Sequence, residues 1–153
     1  MNEAASEFWS DFLNTNPGVR ADTSYQVWYF GNSSEMAQEL AELVIAGTKT
    51  ATASLLETNK RQSESAPIEN GYSVVTDFDG CPKCVIRTTE IRRMPFLEVD
   101  AAFAYDEGEE DRTLDSWRRI HLDYFSREAA QLGFEFNENS VVCCERFELL
   151  FPK

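Results

Sequence analysis

Histidine is nearly absent from this sequence, and its scarcity argues against several kinds of catalytic site. The 153 residues include one histidine, His121. A Ser-His-Asp triad is therefore improbable, and the paired histidines of an H-E-x-x-H zinc protease are missing. The sequence also lacks a glycine-rich phosphate loop and a D-x-D-x-D-G calcium loop. These absences argue against nucleotidyl transfer and metalloprotease chemistry, and we expect no cofactor and no bound metal.

Long apolar segments are also missing. No window approaches the roughly 18–20 apolar residues that a membrane helix needs. The first seven residues are acidic, whereas a secretion signal begins with positive charge. We therefore expect a cytoplasmic protein that makes no membrane contact. The length and the 42% apolar share suit one domain, over residues 1–153, whose core needs no disulfide or metal.

Basic residues are few, at 14 against 27 acidic residues, for a formal net charge of −13. This balance opposes long-range attraction to polyanions. Any contact with nucleic acid must then use a local basic patch or a pocket for a single nucleotide.

Four cysteines occur in two close pairs, Cys81 with Cys84 and Cys143 with Cys144. The first pair has the spacing of a zinc knuckle. The adjacent second pair would point to opposite faces of a strand, so both thiolates could not reach one metal without distortion. We therefore favour free thiols, with the second pair partly packed in the core.

Hydrophobic periodicity predicts an α+β domain around a curved or barrel-like antiparallel sheet with flanking helices. The first predicted helix spans residues 3–14. The second begins at a capping box formed by Asn32 and Glu35 and ends at Gly47. A short helix is predicted at residues 99–105, and a long one from near Thr113 to Gly133. The predicted strands are residues 25–30, 72–77, 84–91 and 141–151, the last being one bent strand or a pair. Residues 48–55 suit a turn into a strand, and residues 57–70 suit a mobile loop.

Lys49 and Thr52 are the strongest catalytic candidates from the residues themselves. They follow a glycine-capped helix in a segment of small side chains with room for a ligand. Residues three apart face opposite sides of a strand, so both can line one cleft only if Lys49 lies in a turn before the strand. A desolvated Lys49 amine with a lowered pKa could then take the proton of the Thr52 hydroxyl. The plainer alternative is a solvated lysine beside the helix C-terminus.

The acidic run from Glu107 to Asp111 allows three interpretations. It can simply place negative charge before a helix N-terminus, where the helix dipole stabilises it. Alternatively, one glutamate reaches into the cleft as a base or orients Lys49. Binding of a divalent metal by several carboxylates is the third possibility.

An ordered set of motifs resembles the ASCH domain family. The segment Gly47-x-Lys49-x-x-Thr52 resembles that family's G-x-K-x-x-T signature, and the resemblance runs from about Tyr25 to Phe151. The further matching segments are Phe30-Gly31, Leu40-Ala41, Asp79-Gly80-x-Pro82, Ile86-x-Thr88-Thr89, Pro95-Phe96, Phe103-Ala104, Glu107-Gly108-Glu109 and Trp117-Arg118-x-x-His121. Glu110 stands where the family's E-G-E-G-D usually has its second glycine, which adds charge and restricts the backbone.

This resemblance implies a PUA-like β-barrel with helices around it, on which residues 1–22 would pack as a helical extension. It also implies a cleft for RNA or a nucleoside. Relatives are associated with hydrolysis of acetylated cytidine, in which a lysine and a threonine match Lys49 and Thr52 and a glutamate is also required. Glu107 is our first candidate for that glutamate, and Glu109 and Glu110 are the alternatives. The second associated activity is cleavage of single-stranded RNA.

Two hypotheses about function follow. In the first, the protein is a small hydrolase of RNA or of a modified nucleoside, with Lys49, Thr52 and Glu107 as catalytic residues. The residues expected to bind the ligand are Trp28, Tyr29, Thr50, Ser54, Glu109, Arg118 and His121, whereas we expect Trp117 to belong to the core. In the second, it is a non-catalytic RNA-binding module that uses a local basic surface of Lys49, Arg87, Arg92, Arg93, Arg118 and Arg119.

Overall fold

The computed structural model describes residues 2–152. Five strands and five α-helices alternate irregularly along the chain, with 3-10 turns at Ser63–Ser65 and Phe96–Glu98. The order is α1 (Glu3–Thr15), β1 (Tyr25–Trp28), α2 (Ser34–Ile45), β2 (Ala51–Leu55), α3 (Leu56–Arg61), β3 (Tyr72–Thr76), β4 (Pro82–Pro95), α4 (Ala101–Glu107), α5 (Leu114–Leu132) and β5 (Val141–Phe151). The predicted α+β class is confirmed.

The strands form one mixed sheet in the order β1-β3-β4-β5-β2. Only the β1–β3 pair is parallel, and the other three pairs are antiparallel. The edge strands β1 and β2 do not pair with each other in the described part of the chain. The predicted barrel is therefore an open, five-stranded sheet.

Strand β5 connects the centre of the sheet to its β2 edge. It pairs along its whole length with β4, and the register shifts between Thr88 and Glu90. On its other side it pairs with β2, which places Thr52 opposite Glu145. Directly opposed residues of an antiparallel pair project from the same face, so these two side chains are neighbours.

Side-chain caps begin the long helices. The Ser33 hydroxyl accepts a hydrogen bond from the Met36 amide at 3.2 Å, so the cap of α2 lies one residue after the predicted Asn32. Helix α5 begins after Thr113, which caps it, close to the predicted start, and it ends before Gly133, which has a φ of +83°.

Helix α1 packs on β3 and on the central strand β4. Trp9 and Phe12 are buried against Val74 and Val85, and the Trp9 ring stacks on Tyr25 with centroids 4.5 Å apart. Two further clusters fill the spaces under α2 and under α4 and α5. No helix in residues 2–152 combines the length and apolarity needed to cross a bilayer.

Two predicted elements require correction. Residues 57–70 are not one mobile loop, because α3 and a 3-10 turn lie within them. The Thr58 hydroxyl donates to Glu128 of α5 at 2.8 Å, which ties α3 to the rest of the fold. In addition, β4 extends to Pro95, beyond the predicted end at Ile91, because β5 continues to pair with it there.

All four cysteines are free, as expected. Cys84, Cys143 and Cys144 are buried, and only Cys81 is exposed. Burial raises the pKa of the Cys84 and Cys144 thiols to about 12. Thiols with such pKa values are weak nucleophiles at neutral pH, so these residues act as core side chains.

Candidate functional site

Lys49 lies in a turn between α2 and β2. Helix α2 is followed by Gly47, whose φ of +83° turns the chain out of the helix. The amides of Thr48 and Lys49 then both donate to the Leu43 carbonyl, at 3.0 and 3.1 Å. Strand β2 begins only at Ala51, so the geometric condition set by the sequence is met.

The Lys49 ammonium is buried between two glutamates. Its side chain is 0% exposed, and Nζ lies 3.0 Å from Glu107 Oε1 and 2.9 Å from Glu109 Oε2. Nζ also donates to the Glu107 carbonyl oxygen at 3.3 Å and lies 5.4 Å from the centre of the Phe30 ring. Lys49 is therefore not a solvated residue at a helix end.

The chain around Gly108 holds the two glutamates against the lysine turn. Gly108 has a φ of +72°, and a Cβ added there would lie 2.5 Å from the Thr48 carbonyl oxygen. The Thr50 amide donates to the Asp106 carbonyl at 2.8 Å. Only glycine permits so close an approach of the two backbones, so the Gly-x-Lys turn and the Glu-Gly-Glu loop form one unit.

The second carboxylate oxygen of Glu107 faces helix α5. It accepts a hydrogen bond from the Trp117 indole N–H and lies 3.3 Å from His121 Nε2. His121 Nδ1 lies 2.9 Å from the Trp117 carbonyl oxygen, and the two rings stack with centroids 4.2 Å apart. His121 is thus buried rather than a surface residue. Trp117 belongs to the core, as predicted, and also holds Glu107 in place.

The buried charges shift one another's pKa values. Burial disfavours the charged form of Lys49, but the charges of Glu107 and Glu109 outweigh burial and raise the pKa of Lys49. Burial likewise opposes ionisation of Glu107, yet the charges of Lys49 and His121 hold its pKa well below the usual range. The lowered lysine pKa expected from sequence is therefore wrong. The structure favours a charged Lys49, which cannot act as a base.

Glu109 and His121 have pKa values that are both raised, for different reasons. Burial, reinforced by the charge of Glu107, raises the pKa of Glu109 despite the opposing charge of Lys49. For His121, burial lowers the pKa, and the charge and hydrogen bond of Glu107 more than reverse that effect. The Glu109 side chain is 19% exposed, against 1% for Glu107. Glu109 is therefore the carboxylate of this network that can exchange protons with a ligand.

Two adjoining cavities form a cleft over this network. The smaller, of about 70 Å³, reaches Glu107, Glu109 and His121. The larger, of about 210 Å³, extends along β2 and β5. They share a wall made of Phe30, Gly31, Thr52, Ala53, Tyr124 and Phe125. Thr52 therefore lies where the charged network meets the wider part of the cleft.

The structure brings together most of the residues predicted for the site. Trp28, Tyr29 and Ser54 line the larger cavity, and Glu107, Glu109 and His121 line the smaller. Thr50 and Arg118 line neither cavity. Thr50 is exposed and bonds to the Asp106 carbonyl, and Arg118 reaches the Leu97 carbonyl at 3.3 Å. Glu110 is exposed and forms no part of the network.

Several residues of the cleft were not predicted. Tyr124 and Glu128 of α5 line the larger cavity, and so does Glu145 of β5. Glu145 could have been noticed in the sequence, because it is one charged residue next to the apolar run Val141-Val142-Cys143-Cys144 of a strand. The two α5 residues gave no such signal, since polar side chains are common on the exposed face of a helix.

No lysine or arginine side chain lines either cavity within residues 2–152, whereas four glutamates do: Glu107, Glu109, Glu128 and Glu145. In the described chain the cleft therefore offers an anionic ligand no lysine or arginine side chain to bind, which favours a neutral or cationic ligand. Glu107, Glu109 and His121 offer donor atoms within 4.8 Å of one another. A metal ion there would have to displace the ammonium of Lys49, which already binds both carboxylates.

The comparisons with known proteins identify the family and support the fold. The profile of the ASCH domain matches residues 26–150, so the chain belongs to the ASCH domain family, whose PUA-like members are generally associated with RNA binding. An ASCH domain structure from Lactobacillus crispatus JV V101 is 30% identical, with a TM-score of 0.87, over 98% of this chain and 96% of that one. A protein of Enterococcus faecalis V583 is 35% identical, with a TM-score of 0.86, over 97% of this chain and 89% of that one. No protein of curated function matches the sequence.

Proposed function

We propose that this protein is a small hydrolase that cleaves an amide on a modified nucleoside such as acetylated cytidine. The observation that carries the proposal is the buried ammonium of Lys49, which fixes Glu107 and Glu109 beside a cleft that contains Thr52. Burying three charged groups is costly, and replacing all of them with well-packed apolar residues is often neutral or stabilising for a protein. Retention of such a network at a cleft is typical of functional sites.

The shape and charge of the cleft favour a nucleoside over an RNA strand. The larger cavity, at about 210 Å³, is below the range of about 300–1,000 Å³ that suits drug-sized ligands. Aromatic side chains, including Trp28 and Tyr124, can contact a planar base from the cleft walls. A polyanion, in contrast, would meet four glutamates and no lysine or arginine side chain in the part of the cleft that residues 2–152 form.

The proposed reaction assigns a distinct task to each residue. Glu109 takes a proton from a water molecule while the water oxygen attacks the acyl carbonyl carbon. The resulting tetrahedral species then collapses. The C–N bond breaks, the proton passes to the departing amine, and a carboxylic acid and the free amine result. The Thr52 hydroxyl donates a hydrogen bond to the acyl oxygen, while Lys49 and Glu107 hold Glu109 in position.

The test is turnover of N4-acetylcytidine by the purified protein, in which the cytidine formed is measured by chromatography. We expect hydrolysis by the wild type and a loss of about 100-fold or more in Glu109→Gln, because general base catalysis contributes roughly 10²–10⁴-fold. Lys49→Met should lose activity to a similar degree, because Glu109 is then no longer held. Lys60→Met is the matched control, since Lys60 lies on the exposed surface of α3, and it should retain full activity.

Single-stranded RNA is assayed in parallel, because the family association with RNA supports a second candidate, a non-catalytic RNA-binding module. The structure weakens the basic surface expected for it. Lys49 is buried. Arg87 forms an ion pair with Glu148, and Arg92 forms one with Glu90. Of that surface, only Arg93 and Arg119 are exposed and form no ion pair within residues 2–152. Salt-sensitive binding of RNA with no turnover of either substrate would favour this candidate and contradict the hydrolase.

A further inference from the structure

Glu145 is a buried acidic residue that the proposed reaction does not use. It lies on β5, directly opposite Thr52 of β2, and is 6% exposed. Its side chain lines the larger cavity but not the smaller one, which contains Glu107 and Glu109. Whatever ligand reaches Thr52 from that cavity must therefore pass beside the Glu145 carboxyl group.

The surroundings of Glu145 favour its neutral form. Burial raises the pKa of Glu145, and the opposing effects of the Thr88 hydrogen bond and the Lys49 charge do not reverse the shift. The other titratable groups that line this cavity are Tyr29, which follows β1, and Tyr124 and Glu128 of α5. None of these side chains is a cation, and Lys49 is already bound by two other carboxylates.

The hydrogen bond with Thr88 leaves one oxygen of Glu145 available. The Thr88 hydroxyl donates to Oε2, and no other residue in the described chain donates to or accepts from this side chain. Oε1 has no hydrogen-bond partner among the described residues and is not fully buried. Because Oε2 already accepts from Thr88, Oε1 is the oxygen that can carry the proton of a neutral Glu145 and donate to a ligand.

We propose that Glu145 determines specificity by donating an O–H hydrogen bond from Oε1 to an acceptor on the edge of the ligand's ring, a carbonyl oxygen or an unprotonated ring nitrogen. The pyrimidine ring of cytidine offers both kinds of acceptor. This inference rests on the proposed function for the class of ligand, but it concerns recognition rather than turnover. A deprotonated Glu145 would instead repel such an acceptor.

The test is the affinity of the full-length protein for cytidine, measured by NMR titration in wild type, Glu145→Gln and Glu145→Ala. Glutamine keeps the arrangement, because its amide N–H₂ can donate to the ligand while its oxygen accepts from Thr88. We expect Glu145→Gln to bind within about threefold of wild type, and Glu145→Ala to bind about tenfold more weakly or worse. Glu148→Gln, on the same strand but 52% exposed, is the matched control and should bind like wild type.

The pH dependence separates a neutral glutamic acid from a merely structural residue. Wild-type affinity should fall as pH rises through the raised pKa of Glu145, whereas the affinity of Glu145→Gln should not follow that fall. Equal binding by wild type and Glu145→Ala would overturn the proposal, as would equally weak binding by both variants. Failure of the wild type to bind cytidine would also overturn it.

The two proposals can fail separately. Loss of cytidine affinity in Glu145→Ala, in a protein that does not hydrolyse acetylcytidine, supports recognition by Glu145 and contradicts the hydrolase. Hydrolysis with unchanged cytidine affinity in Glu145→Ala supports the hydrolase and contradicts recognition by Glu145. Circular dichroism and thermal unfolding of each variant establish that the compared proteins are folded.

Discussion

Lys49 and Glu107 form an ion pair in which Nζ and Oε1 lie 3.0 Å apart and the two side chains are 0% and 1% exposed. Breaking such a buried pair leaves a charge without its partner and costs about 3–5 kcal/mol. We therefore expect Lys49→Met to lower the free energy of unfolding in urea by about that amount. The double variant Lys49→Met/Glu107→Gln should recover part of the loss, because the unpaired carboxylate is gone. Additive losses, or a cost of Lys49→Met below about 1 kcal/mol, would contradict the pairing.

The raised pKa of His121 predicts how stability depends on pH. Because its folded-state pKa lies above the ordinary value of 6.5, protonation of His121 favours the folded state. This contribution is complete below pH 6.5 and is lost as pH rises through the folded-state pKa. Urea unfolding across that pH range should show that the free energy of unfolding of the wild type declines as pH rises. The decline should be smaller for His121→Gln. Parallel profiles would show that His121 is not paired with Glu107.

Gly108 should tolerate no side chain. Gly108→Ala must hold alanine at a φ of +72° and also move its Cβ away from the Thr48 carbonyl oxygen. Gly133→Ala is the matched control, because Gly133 has a φ of +83° but no heavy atom within 4 Å of an added Cβ. We expect the control to lose about 1–2 kcal/mol of stability from the left-handed conformation alone. Gly108→Ala should lose clearly more, and equal losses would contradict the close contact of the two loops.

Glu110 occupies a left-handed conformation, with a φ of +52°. Glycine adopts this conformation without steric strain, whereas for other residues it is unfavourable by about 1–2 kcal/mol. Glycine also raises the entropy of the unfolded chain, which offsets part of this gain. Glu110→Gly should therefore leave the stability of the protein unchanged or raise it by about 1 kcal/mol. Glu135→Gly is the control, because exposed Glu135 is not among the described residues with positive φ, and it should be destabilising. Thermal unfolding of both variants checks the sign.

The sequence carried more information about the lysine turn than about the far side of the cleft. The helix that ends at Gly47, the turn at Lys49 and the acidic loop from Glu107 could be predicted, because local caps and a local motif define them. The contact between that turn and that loop is one of the three interpretations that the acidic run allows, and only the family resemblance favours it over the others. Glu145, in contrast, joins the cleft through the β2–β5 register, which is a long-range pairing that local patterns do not contain.

The direction of the Lys49 pKa shift could not be predicted either. Desolvation alone lowers the pKa of a lysine, and the sequence offered no way to know that two carboxylates would approach the same nitrogen. Likewise, a lone histidine beside two arginines on a predicted helix suggests a surface position. Its burial follows from the stacking of His121 on Trp117 and from its contact with Glu107.

The cleft above the Lys49 network is the proposed ligand site, and mapping of backbone amide chemical shifts during titration with cytidine tests this placement most directly. We predict saturable shifts that concentrate on the amides of Thr52, Glu109 and Glu145 and that are much smaller in the Glu145→Ala variant at the same subsaturating cytidine concentration, because its affinity is about tenfold lower. Shifts confined to the exposed arginines Arg93 and Arg119, with the amides around the cleft unchanged, would contradict this claim.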